Sequence, residues 1–212
     1  MSTDLNLVLV MLANLALLGS SRLSACIQLS AAQGILLSLL PLQVAQHGWD
    51  ARLFVFAITI LVLKGFVFPA LLMRTLRTAD VRHEIVPVVG YVASLVFGVM
   101  TLCFCFWISS RLILPQPAPS PLVLPLALST ILIGLFLIVS RRTALMQVVG
   151  YLVLENGIYI FGVALAQEEP FLVEMGVLLD VFVAVFVMGI AIFHISREFD
   201  HIDVNQLTSL KD

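Results

Sequence analysis

Charge is what this chain most lacks. Only 11% of its 212 residues are Asp, Glu, Lys or Arg, against 61% hydrophobic, whereas soluble domains run at about 25% charged. That is too little polar material to cover a water-facing surface, so a soluble globular protein is excluded and an integral membrane protein remains. Cysteine is scarce too. Cys26, Cys103 and Cys105 all lie inside apolar runs, with no Cys-x-x-Cys and no paired Cys/His spacing, so neither zinc nor an iron–sulfur cluster is expected on this chain. His47, His83, His194 and His201 are scattered near segment ends and form no metal-ligand set. No basic patch interleaves with aromatics, which argues against nucleic acid. The N-terminus, Met1-Ser2-Thr3-Asp4, lacks the positive charge that opens a secretory signal, so the first apolar segment is expected to be retained as a helix. Strict apolar alternation over about ten residues is missing as well, which excludes transmembrane strands.

What is present is a series of seven long apolar stretches: about Leu5–Gly19, Leu23–Ala45, Leu53–Met73, Ile85–Ser109, Leu122–Val139, Ala144–Ala166 and Phe171–Ile195. A helix needs roughly 20 residues to span the hydrocarbon core, and only the first stretch is marginal. The expected fold is therefore all-α, a polytopic bundle of about seven transmembrane helices. With the N-terminus outside, Arg22, Arg74, Arg77, Arg82, Arg141, Arg142, Arg197 and Lys211 fall on the cytoplasmic side and only Arg52 and Arg111 fall outside. That bias obeys the positive-inside rule and puts the C-terminus in the cytoplasm. The stretch Pro115-Gln-Pro-Ala-Pro-Ser-Pro121 favours an extended backbone and reads as an external linker. It divides the chain into a four-helix part (1–114), the linker (115–121), a three-helix part (122–195) and a cytoplasmic tail (196–212). No internal repeat with matching motifs stands out, which argues against an inverted-repeat transporter.

Three charged residues interrupt this pattern. Glu155, Asp180 and Lys64 each sit near the middle of an apolar stretch, where a charge costs roughly 2.5–3.5 kcal/mol on insertion scales. Such residues usually face a bundle interior or a wet cavity and mark an ion or proton route. Spacing by four along the sixth stretch aligns Gln147, Tyr151, Glu155 and Tyr159, with Asn156 and Gly157 beside them. The sixth and seventh helices are joined by a short turn around Gln167-Glu168-Glu169-Pro170 and should be antiparallel neighbours. Counted from that turn, Glu155 lies about 18 Å deep and Asp180 about 15 Å deep, at roughly 1.5 Å per residue. Two acids at matched depth can relay a proton through water. Lys64 is roughly 12–15 Å from the inner interface along its helix, too far to snorkel, and Pro69 behind it loosens the backbone. It reads as a charge that biases the acids. Glu174, with Glu168 and Glu169, lies at the outer boundary as a solvated acidic rim. Asn14, Gln28 and Ser24, and the Ser94/Gly98/Thr101/Cys105 face, read as small-polar helix packing.

Ser140-Arg141-Arg142, followed by Val148-Val149-Gly150-Tyr-Leu-Val-Leu-Glu155-Asn156-Gly157, together with the tail Ile202-Asp-Val-Asn-Gln-Leu-Thr-Ser-Leu-Lys211, closely resembles the hydrogenase-4 component E family. Lys64 with Pro69 fits the same pattern, and the likeness runs over essentially the whole chain. From about Leu122 onward the chain also resembles, more distantly, the K subunit of respiratory complex I and the C subunit of Mrp-type antiporters. In the K subunit the first membrane carboxylate falls two residues after the glycine, where this chain has Leu152 and carries Glu155 a turn later; the second is a glutamate, one methylene longer than Asp180. The resemblance implies a non-redox membrane subunit of a formate-hydrogenlyase-type complex built on a group 4 nickel–iron hydrogenase. Its partners would be antiporter-like membrane subunits, a complex I-like membrane anchor subunit, and cytoplasmic hydrogenase and iron–sulfur subunits. Nickel, iron and iron–sulfur clusters would belong to those partners, with no cofactor on this chain, and the location would be the bacterial cytoplasmic membrane. Glu155 and Asp180 would be protonatable stations of a proton or sodium path, Lys64 the charge beside them, and Gln147, Tyr151, Asn156, Tyr159 and Glu174 a polar lining. Two alternatives stay open: a structural subunit whose acids serve only helix packing, and a subunit of an Mrp-type antiporter.

Overall fold

The computed structural model describes residues 3–44, 51–78, 89–112 and 119–165. Within these the chain is helical: α1 (Thr3–Gly19), α2 (Leu23–Ser38), α3 (Leu40–Val44), α4 (Ala51–Ile60), a π-helical stretch (Leu61–Val67), α5 (Phe68–Thr78), α6 (Tyr91–Ser109), α7 (Val123–Ser140) and α8 (Ala144–Leu165). Among the described residues five helical runs are long and apolar enough to cross a membrane: Leu23–Gln43, Ala57–Arg77, Tyr91–Ser109, Val123–Ser140 and Ala144–Gly162. The expected all-α membrane architecture is what forms. α1 is shorter, at 17 residues, a rise of about 25 Å. The expected seventh helix, Phe171–Ile195, lies outside the described residues.

α1 buries one face, Asn6, Leu7, Val10, Ala13, Asn14, Leu17 and Leu18, the three-to-four spacing of a helix packed on one side. Ser120 Oγ donates to Asp4 Oδ1 at 2.6 Å, joining the N-terminal ends of α1 and α7. At their other ends the Arg141 guanidinium donates to the Leu18 carbonyl at 3.1 Å, so α1 and α7 run parallel. That is the relative direction expected if the marginal first stretch is a true element of the bundle.

α7 and α8 form an antiparallel hairpin held close by glycine. A Cβ on Gly134 would lie 2.6 Å from Leu154 Cα, one on Gly157 2.6 Å from the Ile131 nitrogen, and one on Gly150 2.9 Å from the Ile138 nitrogen. Backbone therefore meets backbone along the whole hairpin, the contact that small residues permit inside a bilayer. α6 lies against this hairpin and α1. Its Phe97 ring stacks on Phe136 of α7 with centroids 4.2 Å apart, and the Ser94, Gly98, Thr101 and Cys105 face is buried as expected. Apolar side chains from α1, α2, α5, α7 and α8 fill the middle, among them Leu17, Ile27, Phe68, Leu72, Ile133 and Val149.

The third apolar stretch is one continuous run from Ala51 to Thr78 whose centre widens into the π-helical turn. The Phe68 N–H reaches back five residues to the Leu63 carbonyl. Pro69 accounts for the position: it supplies no N–H, and its ring would strike the carbonyl four residues earlier in a regular helix. Such turns are uncommon and occur often at functional sites. This one carries Lys64.

Candidate functional site: a buried ion pair at mid-bundle

Two features of the fold place Lys64 in the interior. It is one of the buried residues of the π-helical turn, and Gly34 lets α2 press directly upon it. A Cβ at Gly34 would lie 2.7 Å from Lys64 Cβ and 2.8 Å from its carbonyl carbon, so no other residue fits that crossing unaltered. Lys64 Nζ then lies 3.3 Å from Glu155 Oε1, with the two side chains 6% and 3% exposed. It also donates to Asn156 Oδ1 at 3.2 Å and sits 5.6 Å from the centroid of the Tyr159 ring, within reach of a cation–π attraction. Among the described residues, Glu155 Oε2 is buried with no hydrogen-bond partner.

Neither charge would rest easily alone in this interior, and together they are neutral. Unit charges 3.3 Å apart attract by about 5 kcal/mol at an effective dielectric near 20, which offsets a desolvation cost of several kcal/mol per ion. Oε1 is committed to the ammonium, and Oε2, which meets no hydrogen-bond partner among the described residues, is where an incoming proton can land.

The interactions continue beyond the pair. Asn156 Nδ2 donates to Gln33 Oε1 at 3.4 Å, Gln33 Nε2 to Asn14 Oδ1 at 2.8 Å, and Asn14 Nδ2 to Thr130 Oγ1 at 2.8 Å. Thr130 Oγ1 donates in turn to the Leu126 carbonyl at 2.7 Å. All four of these polar residues are buried. Gln33 and Thr130 carry no charge and drew no notice in the sequence, and Asn14 read as packing. The one available signal was a primary amide near the centre of an apolar span, which costs energy there unless paired.

Of the residues expected from sequence, the fold brings together Lys64, Glu155, Asn156 and Tyr159. Tyr151 is half-buried a turn earlier on α8, and Gln147 is exposed, its amide directed to the Arg141 carbonyl at 3.4 Å. The supposed single face splays because four residues advance a helix by about 40° beyond a full turn, carrying Gln147 twice that angle away from Glu155. Asp180 and Glu174 lie outside the described residues. A second buried cation, Arg141, is 1% exposed and faces the Tyr91 ring at 5.2 Å. Burial pulls its pKa down, and the neighbouring Tyr91 and Cys26 pull it back up.

Comparison with known proteins gives this geometry a context. The family pattern of NADH-ubiquinone/plastoquinone oxidoreductase chain 4L matches residues 122–212. Uncharacterized protein Rv0085 of Mycobacterium tuberculosis is 31% identical over 204 residues, covering 96% of this chain and 93% of that protein. Hydrogenase-4 component E of Escherichia coli K12 and that of Shigella flexneri are each 37% identical over 112 residues, 53% of this chain and 52% of theirs. No solved structure matches. Rv0085 aligns almost end to end and the enterobacterial proteins over about half their length; this chain belongs to the family of the mycobacterial protein and is a hydrogenase-4 component E homologue.

Proposed function

We propose that this chain is a non-redox membrane-arm subunit of a complex I-like, membrane-bound hydrogenase, and that the Lys64–Glu155 pair is a station on its proton path. A membrane subunit of a complex I-like assembly follows from likeness to hydrogenase-4 component E and to chain 4L. The coupled ion, the hydrogenase partners and the bacterial cytoplasmic membrane are the finer parts of the proposal. Electron transfer and hydrogen chemistry would lie in partner subunits carrying nickel, iron and iron–sulfur clusters. Antiporter-like subunits and a membrane anchor subunit would flank this chain.

One observation carries the reading: an ion pair buried at mid-bundle, 3.3 Å long, with a carboxylate oxygen left over. A proton reaching Glu155 Oε2 turns the carboxylate into a carboxylic acid, and its loss restores the pair. Lys64 keeps the empty state neutral and so lowers the cost of holding a titratable group in oil. A proton is favoured over sodium because a sodium ion at Glu155 would sit beside the ammonium, and like charges that close repel strongly in a medium of low dielectric. Asp180, on the next apolar stretch, is the proposed second station.

The test is coupled ion translocation by membrane vesicles holding the assembled complex with Glu155→Gln or Asp180→Asn. Translocation should fall at least tenfold while blue-native gels show intact assembly. Unchanged translocation in an intact complex would overturn the proposal. Loss of assembly with normal translocation in the remainder would favour a purely structural subunit.

A further inference from the structure

Among the described residues, a string of hydrogen bonds leads from Lys64 and runs one way. Lys64 donates to Asn156, Asn156 to Gln33, Gln33 to Asn14, Asn14 to Thr130, and Thr130 to the Leu126 carbonyl. Every donor points away from the ammonium and every acceptor oxygen points back towards it. The string draws on the π-helical turn, α8, α2, α1 and α7 in succession, so it ties both sides of the Pro-rich linker to one charge. Asn156 is 2% exposed, and Gln33, Asn14 and Thr130 are 0% exposed, which keeps these dipoles in a medium where aligned hydrogen bonds reinforce one another. Dipoles presenting their oxygen ends favour positive charge at the head of the string. A primary amide has no proton to release at ordinary pH, so the string orients and does not conduct.

We propose that Gln33 and Asn14 are positioning residues which, with Asn156, form a fixed dipole string that sets how readily the Lys64–Glu155 pair takes up an extra proton. This rests on the pair's reading as a proton station. The proton comes from water, adds to Glu155 Oε2, and leaves Lys64 an ammonium. The site passes from neutral to a single positive charge, and the oxygen-first dipoles stabilise that charged state over the neutral one. Among the described residues, the titratable or charged side chains on the elements packed around the pair are Tyr159, whose ring faces Lys64, Tyr151 on α8, Cys26 on α2, Asp4 on α1, and Arg74 and Arg77 on α5. All but Tyr159 lie a turn or more along their helices from the groups of the string. Asp180 is the further acid expected nearby from sequence.

The full chain in lipid nanodiscs tests this by infrared difference spectra across a pH series, following the Glu155 carboxylic band identified by its loss in Glu155→Gln. Gln33→Leu removes the middle link and should lower the proton-uptake constant about tenfold, the size of one net hydrogen bond between neutral groups. Gln33→Glu is of the same size, places an acceptor and a negative charge at the same point, and should raise the constant at least as much. Its own band is subtracted with Gln33→Glu/Glu155→Gln. Opposite shifts support the string. No shift in either variant, or shifts of the same sign, would overturn it. If the leucine variant does not fold, the glutamate variant decides alone: a rise supports the string and the absence of a rise overturns it. Translocation is not part of this measurement, so a failed string leaves the station standing, and a failed station shows separately as unchanged translocation in Glu155→Gln.

Discussion

Removing either member of the buried pair should cost much more than removing both. In Lys64→Met the Glu155 carboxylate, 3% exposed, loses a partner worth about 5 kcal/mol of attraction at an effective dielectric near 20. In Glu155→Gln the ammonium, 6% exposed, loses the Glu155 carboxylate beside it. Breaking a buried pair from one side typically costs about 3–5 kcal/mol because a charge is stranded. Each stranded group can escape by changing its protonation, so the lower end of that range is expected here. Lys64→Met/Glu155→Gln leaves no charge to strand and should lie within about 1 kcal/mol of the parent, since uncharged replacements of buried pairs are often neutral. The double-mutant cycle should thus give a coupling of about 5–6 kcal/mol in magnitude, measured by reversible unfolding of the full chain in mixed micelles. A coupling below about 0.5 kcal/mol, the level at which independent sites add, would refute a direct interaction between these side chains.

Four other outcomes follow from the fold and the distribution of charge. Gly34→Ala drives a Cβ to within 2.7 Å of Lys64 Cβ and 2.8 Å of its carbonyl carbon; unfolding in micelles should show a loss of about 1–3 kcal/mol, the cost of overpacking. Arg141→Gln gives up the charged bond to Leu18 and the contact with Tyr91 and should cost about 1.5–3 kcal/mol. Arg142→Ala, at an exposed position, should fall within about 0.5 kcal/mol of the parent by the same assay. Arg142→Cys should react with a membrane-impermeant maleimide only from the cytoplasmic side, as the distribution of basic residues requires; labelling from outside would invert the expected topology.

Much of the fold was legible because a bilayer leaves a chain few options. Apolar runs of about 20 residues must be helices there, and most of the described ones begin and end close to where composition alone places them, although α6 starts at Tyr91 rather than Ile85 and the third run ends at Thr78 rather than Met73. Lys64 and Glu155 announced themselves by their cost. Their pairing did not, because the two positions are 91 residues apart and nothing local to either identifies the other. Packing decided it: Gly34 brings α2 onto Lys64, and Gly134, Gly150 and Gly157 bring α8 onto α7. Gln33 and Thr130 went unread, and Asn14 read only as packing, because a neutral amide or hydroxyl in a helix has many ordinary uses, and only the fold shows which of them share hydrogen bonds. Gln147 was grouped with Glu155 by a four-residue step that drifts around the helix. Pro69 pointed to a loosened backbone, whereas the seven-residue extent of the π-helical turn, Leu61–Val67, had no counterpart in the sequence.

The most direct test is an experimental structure of the assembled complex at a resolution that reveals ordered water around Glu155. The account predicts that Oε2, buried and without a hydrogen-bond partner among the described residues, is met by water or by a titratable group leading on to Asp180. Aliphatic side chains or lipid packed against that oxygen, with no polar group continuing from it, would contradict a proton station at this pair.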